Sequence, residues 1–107
     1  MKSSPRSVRM ASQVESLISP LISRFLDPDI IGFCTVTAVE VSGDLQVADV
    51  YVRSINPPGG WLKALKKVSG KIGHEIGQEL NLNQKLLVRF KEDQAVKLVA
   101  KLEKHGL

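Results

Sequence analysis

The sequence predicts an α+β fold, a three-stranded sheet with helices packed on one face, in the order α-β-β-α-kink-α-β. Three observations lead there. Apolar residues recur every three or four positions in two segments, 8–25 and 61–80, the spacing of an amphipathic helix. Two β-branched, alternating runs flank Ser42-Gly43-Asp44, which predicts an antiparallel hairpin. A third alternating run, Leu86 to Lys91, follows a turn at Asn81 and Asn83. At 107 residues, 43% hydrophobic and 24% charged, the chain can build one modest core. One domain over 1–107 is expected, with about 1–6 and 94–107 as candidate tails.

The first helix should present Val8, Ala11, Val14, Ile18, Leu21, Ile22 and Phe25 on one face. Pro20 lacks a backbone N–H and predicts a kink or tightened turn near Ser16 to Ser19. Asp27-Pro28-Asp29 ends the helix, because a residue before proline avoids helical geometry. Gly32 to Val41 reads as a strand, with Phe33, Thr35, Thr37, Val39 and Val41 on one face. A three-residue turn leads to the second strand, Leu45 to Ile55, with Ala48, Val50 and Val52 opposite Asp49, Tyr51 and Arg53. Asn56-Pro57-Pro58-Gly59-Gly60 is a connector of helix and strand breakers. The next helical segment places Leu62, Leu65, Ile72 and Ile76 on one face and Lys63, Lys67, Lys71 and His74 on the other. Gly70 and Gly73 each cost roughly 1 kcal/mol of helix, so a helix–break–helix is expected. The third strand must pair with one member of the hairpin. From Asp93 onward, Val96, Val99 and Leu102 suggest a short helix.

Enzymatic signals are nearly absent, and no catalytic, cofactor-binding or metal-binding residue is assigned. One cysteine excludes an internal disulfide and a Cys-based zinc site. Cys34 lies mid-strand, where a small buried hydrophobe is the expected role. Neither His74 nor His105 has a neighbour in sequence that would orient it as a base. Asp27 and Asp29 are accounted for by helix termination. Phosphate loops, dinucleotide fingerprints and metal-ligand spacings do not occur. There is no run of about 20 apolar residues and no signal-peptide core, so a soluble intracellular protein is expected.

The charge is uneven. Residues 1–54 hold five Lys/Arg against six Asp/Glu, and residues 55–107 hold ten against five. A basic half points to a polyanion, most often nucleic acid; ordinary solvated lysine is the competing reading. Val68 to Ile76 carries Gly70-Lys71-Ile72-Gly73, the GxxG form with which KH domains clamp a single strand. Small residues also permit close helix packing, and Ile72 fits the apolar face, so a packing kink is the alternative. Lys63, Lys66, Lys67, Lys71 and His74 extend the basic character along this segment. Lys2, Arg6 and Arg9 precede or open the first helix, where cations oppose its dipole. Tyr51 and Trp61 could stack on bases, although sheet support and helix-start packing suit them better.

The block FLDPDIIGFCTVTAVEVSGDLQVADVYV, Phe25 to Val52, resembles the ribosome-binding factor A family. The family's pattern runs Asp-Pro, Gly, a Thr-Val-Thr strand, Val-x-Val-Ser-x-Asp-Leu and Ala-x-Val-Tyr-Val. Arg6 and Arg9 resemble its N-terminal arginine pair, and Val68-Ser69-Gly70 falls on its Ala-x-Gly kink. Leu80, Leu82, Phe90 and Asp93 resemble its third-strand region. Departures are Asp29 and Gly73 where arginines are usual, Val68 for the kink alanine and Leu86 for a proline. The Gly73 change is what creates the literal GxxG.

The resemblance implies a type-II KH-like fold. It further implies a cytoplasmic, non-enzymatic assembly factor that binds the 30S ribosomal subunit and its 16S rRNA in late maturation and rRNA processing, with a role in cold adaptation. The expected RNA-binding residues are Arg6, Arg9, Lys63, Lys66, Lys67, Gly70, Lys71, Gly73, His74, Lys101 and Lys104. A monomer is expected, with no cofactor, no membrane and no small-molecule substrate. The alternatives are a stand-alone KH-type single-stranded RNA binder and a protein–protein adapter.

Overall fold

The computed structural model describes residues 4–93; the expected helix on Val96, Val99 and Leu102 lies outside them. Helix α1 spans Pro5–Phe25, starting before the expected Val8. Ser4 and Ser7 cap it reciprocally: the Ser7 N–H donates to Ser4 Oγ at 3.2 Å, and the Ser4 N–H donates to Ser7 Oγ at 2.6 Å. Pro5 fills the first turn, where its missing N–H costs nothing. Residues 4–6 therefore belong to the helix and its cap, not to a tail.

The buried stripe of α1 is Ser7, Met10, Val14, Ile18, Leu21 and Ile22. Val8, expected on this face, is 61% exposed, because it sits about 200° around the helix from Met10. Ala11 and Phe25 only flank the core. Helical structure continues through Pro20. The helical bond lost there belongs to the carbonyl of Ser16, a solvent-exposed residue, so no buried acceptor is stranded.

The sequence reading missed a short helix, α2, Pro28–Ile31. It ends at Gly32, whose φ is +69° and whose added Cβ would lie 2.7 Å from Ser54 Oγ and 3.0 Å from Pro57 Cα. Only glycine suits both that dihedral and that space. Ser54 Oγ donates to the Ile31 carbonyl at 2.5 Å, tying α2 to the sheet.

Strands β1 (Phe33–Val41) and β2 (Val47–Ile55) pair antiparallel. A bulge between Val36 and Ala38 shifts their register. This corrects the uniform alternation expected of β1. Before the bulge Cys34 and Val36 pack inward and Phe33 and Thr35 outward; after it Val39 and Val41 pack inward. One inserted residue reverses every later side chain. The hairpin loop covers 42–46 rather than three residues. Its left-handed residue is Leu45, φ 64°, and the Ser42 hydroxyl donates to Asp44 Oδ1 at 2.6 Å.

Helix α3, Trp61–Glu79, is one 19-residue helix where a helix–break–helix was expected. Burial of Leu65, Ile72 and Ile76 at 0% exposure outweighs the local cost of its glycines. Strand β3, Leu87–Glu92, pairs parallel with β2, giving the order β1-β2-β3. A parallel partner needs a long crossover, and α3 supplies it. Val14, Ile18, Val50, Val52, Leu65, Ile72, Ile76 and Phe90 form the centre of the core between helices and sheet. Among the described residues no helix is long and apolar enough to cross a membrane.

Candidate nucleic-acid interface

The apolar face of α3 fixes where its cations point. Leu65, Ile72 and Ile76 are turned into the core. At about 100° per residue, Lys63, Lys66, Lys67, Gly70, Lys71 and His74 fall on the opposite arc, and all six are exposed. From Lys63 to His74 this stripe runs about 16 Å along the helix. The described ion pairs are Arg24–Glu75, Arg89–Asp49 and Lys91–Asp49, so among the described residues none of the four lysines has an acidic partner. Four ammonium groups without acidic partners among the described residues, along just over two turns, suit a chain of phosphates.

The glycine pair does not act as one loop. Gly70 is exposed, and a Cβ there would meet nothing within 4 Å. Gly73 is buried, and its Cβ would lie 2.5 Å from the Leu86 carbonyl oxygen. Ile72, between them, is fully buried. Gly73 is thus the point where α3 approaches the entry to β3, and it has no free face for a ligand. Of the two readings of GxxG, close packing describes Gly73 and removes it from the interface.

Arg6 and Arg9 are exposed on α1 and line a cleft with Gln13, Leu45, Leu80 and Leu82. Leu80 caps the C-terminal end of α3, about 25 Å along the helix from Lys63. Leu80 packs against the core, about 40° around the helix from buried Ile76, so the arginine pair lies off the lysine stripe, toward the other end of α3. Lys2, Lys101 and Lys104 lie outside the described residues. His74 shares an open groove with Gln78, Gln84 and Lys85. Among the described residues it has no hydrogen-bond partner, so nothing orients it for acid–base work.

A second charged cluster, which sequence reasoning missed, covers the sheet face away from the helices. Asp49 is only 2% exposed there. Arg89 donates from Nε to its Oδ1 at 2.7 Å and from Nη2 to its Oδ2 at 3.0 Å. Lys91 Nζ donates to Oδ2 at 3.2 Å. Burial pushes the Asp49 carboxyl up, but the hydrogen bonds and charges of Arg89 and Lys91 outweigh it and hold it below the usual range. Outward alternation in β2 signals Asp49, but its partners lie 40 and 42 residues away and appear only once β3 is registered against β2. Tyr51 is half-buried on the same face, with Lys91 Nζ 6.0 Å from its ring centroid. Trp61 packs against the core at the start of α3. Cys34 is half-buried, and burial pushes its thiol up, as suits a packing residue. Among the described residues no cluster of His, Cys, Asp and Glu could hold a metal ion.

The sequence pattern of a known family, described as ribosome-binding factor A, matches residues 6–105. Ribosome-binding factor A from Thermus thermophilus, known from a crystal structure, is 22% identical with a TM-score of 0.71, covering 83% of this chain and 98% of that one. A Thermotoga maritima protein solved by NMR and assigned to ribosome-binding factor A is 27% identical with a TM-score of 0.73, covering 89% and 93%. A homology model of the Thermus thermophilus factor, fitted into a cryo-EM map of its complex with the 30S subunit, is 23% identical with a TM-score of 0.69, covering 80% and 93%.

Proposed function

The chain belongs to the ribosome-binding factor A family, and from that premise we propose that it is a non-enzymatic assembly factor that docks on the 30S ribosomal subunit in the cytoplasm. It contacts 16S rRNA during late maturation and rRNA processing, holds an immature RNA conformation and leaves as the subunit matures. A need for this service is greatest in the cold, where misfolded RNA helices open slowly.

The observation that carries the reading is the α3 stripe of Lys63, Lys66, Lys67 and Lys71, exposed and without acidic partners among the described residues. The fitted complex of the Thermus thermophilus factor with the 30S subunit supports the choice of partner. Phosphate contacts position a protein on RNA without reading its sequence, so the lysine stripe acts as a docking rail. Arg6 and Arg9 offer RNA a separate pair of cations near the C-terminal end of α3, and the exposed Gly70 lets a phosphate approach the helix backbone. A stand-alone clamp built on Gly70 and Gly73 loses its second glycine to the core.

Co-sedimentation with mature and immature 30S particles tests the proposal. The wild-type chain should co-migrate, more strongly with immature particles, and Lys67→Glu/Lys71→Glu should abolish co-migration with the fold intact by circular dichroism. Unchanged co-migration of that variant removes the α3 face from the account.

A further inference from the structure

The outward face of the sheet lies opposite the helices and holds groups that the α3 stripe does not use. Phe33 opens β1 at 78% exposure, and its register partner Ile55 is 65% exposed. Next along β2 comes Arg53, exposed and without an ion-pair partner among the described residues. Tyr51 follows, flanked by Lys91 across the β2–β3 ladder, and then Asp49 under Arg89. Aromatic rings and cations thus alternate along one strand direction. From the Phe33–Ile55 pair to Tyr51 is four residues of β2, about 13 Å, a span too long for one base.

Charge decides what suits this face. Asp49 spends both carboxylate oxygens on Arg89 and Lys91, so the acid repels nothing and holds two cations over the sheet. Glu40 is the other outward acid of the β1–β2 pairing, opposite Asp49 and remote from Phe33. Arg89 and Lys91 keep 48% and 44% side-chain exposure. A planar ring in water, a guanidinium beside it without an ion-pair partner among the described residues, and a second ring with an ammonium at its edge fit the alternation of base and phosphate in a single strand. We propose that the outer face of the sheet, through Phe33, Arg53, Tyr51 and Lys91, is a second RNA surface that stacks unpaired bases. The proposal rests on the reading of the chain as an rRNA-binding factor and adds to it. The two surfaces lie on opposite sides of the molecule, so one copy joins a phosphate-tracked segment to an unpaired one.

The test uses the full chain and a fluorescein-labelled oligouridylate decamer, read by anisotropy at low salt. Wild type should bind it. Phe33→Ala should weaken binding roughly five-fold or more, the lower end of stacking losses per base. Phe33→Trp should retain binding and Phe33→Leu should lose it, since a ring rather than apolar bulk is required. Arg53→Ala should weaken binding at an unchanged melting temperature, because both side chains are exposed. No binding of the decamer by wild type, or equal binding by wild type and Phe33→Ala, overturns the proposal. So does retention in Phe33→Leu, which points to an apolar protein partner for this face. The Lys67→Glu/Lys71→Glu variant separates the two claims. Decamer binding that survives in it while 30S co-migration is lost supports both surfaces. Loss of decamer binding in it alone, with Phe33→Ala unaffected, leaves the α3 reading standing and overturns this one.

Discussion

A methyl group added at each of three glycines in α3 meets different surroundings. At Gly70 and Gly77 it meets nothing within 4 Å, whereas at Gly73 it lies 2.5 Å from the backbone oxygen of Leu86. Glycine costs a helix interior about 0.5–1 kcal/mol relative to alanine. Gly70→Ala should therefore stabilise the chain by about that amount, raising the melting temperature by several degrees. Gly73→Ala should instead cost about 1–3 kcal/mol, because helix and strand must separate to admit the methyl group. Thermal denaturation of the two variants checks the pair; equal shifts of one sign would remove the packing role assigned to Gly73. Asp49 gives a second prediction at this scale. Its carboxyl is held below the usual range, so its pairing contributes stability that is present above the unfolded pKa, about 3.9. That contribution is lost as pH falls through the lower folded value. Asp49→Asn should cost about 1–2 kcal/mol at pH 6, a modest loss because the two freed cations are half-exposed. In urea titrations the gap between variant and wild type should narrow steadily below about pH 4. A gap that widens on acidification would contradict the assigned direction.

Helices and strands show where local chemistry was enough and where it was not. The apolar spacing of α1 and α3 is local, so both helices, and the lysine stripe opposite the core of α3, could be read from residue order. The hairpin was equally legible. The β1 bulge was not, because Thr37 looks like any alternating residue until Tyr51 stands opposite Ala38. The continuity of α3 was hidden for a related reason. Its glycines argue for a break, and what overrides them is the burial of Leu65, Ile72 and Ile76 against a sheet built from segments distant in sequence. Pro20 is the same conflict in α1, where packing of Ile18, Leu21 and Ile22 carries the helix across a residue that cannot donate. The local penalty is still present in the folded state. Pro20→Ala should restore the bond to the Ser16 carbonyl and stabilise the chain by about 1–3 kcal/mol. A melting temperature unchanged or lowered in this variant would show that α1 needs the proline for its path.

At the scale of the whole molecule, the placement of charge governs how the chain meets a polyanion. The lysine stripe was legible because it lies on one helix. The Asp49–Arg89–Lys91 cluster was not, because its members come from two strands that are distant in sequence and parallel in space. The difference has a measurable consequence. Lys63, Lys66, Lys67 and Lys71 have no internal carboxylates to leave, whereas Arg89 and Lys91 are already held by one. Counterion release should therefore come mainly from α3. The four α3 lysines alone contribute a slope of about −3 to −3.6 for log affinity against log salt. Raising salt from about 50 to 200 mM should then weaken 30S binding by roughly 50-fold or more. Lys67→Ala should reduce the slope by about one. Lys91→Ala should leave it nearly unchanged, since the Asp49 carboxylate already stands in for the counterion that a phosphate would displace. Binding isotherms at four or more salt concentrations measure all three slopes. A wild-type slope near zero would mean that the subunit is held by apolar or neutral contacts, and the lysines of α3 would then be ordinary solvated surface.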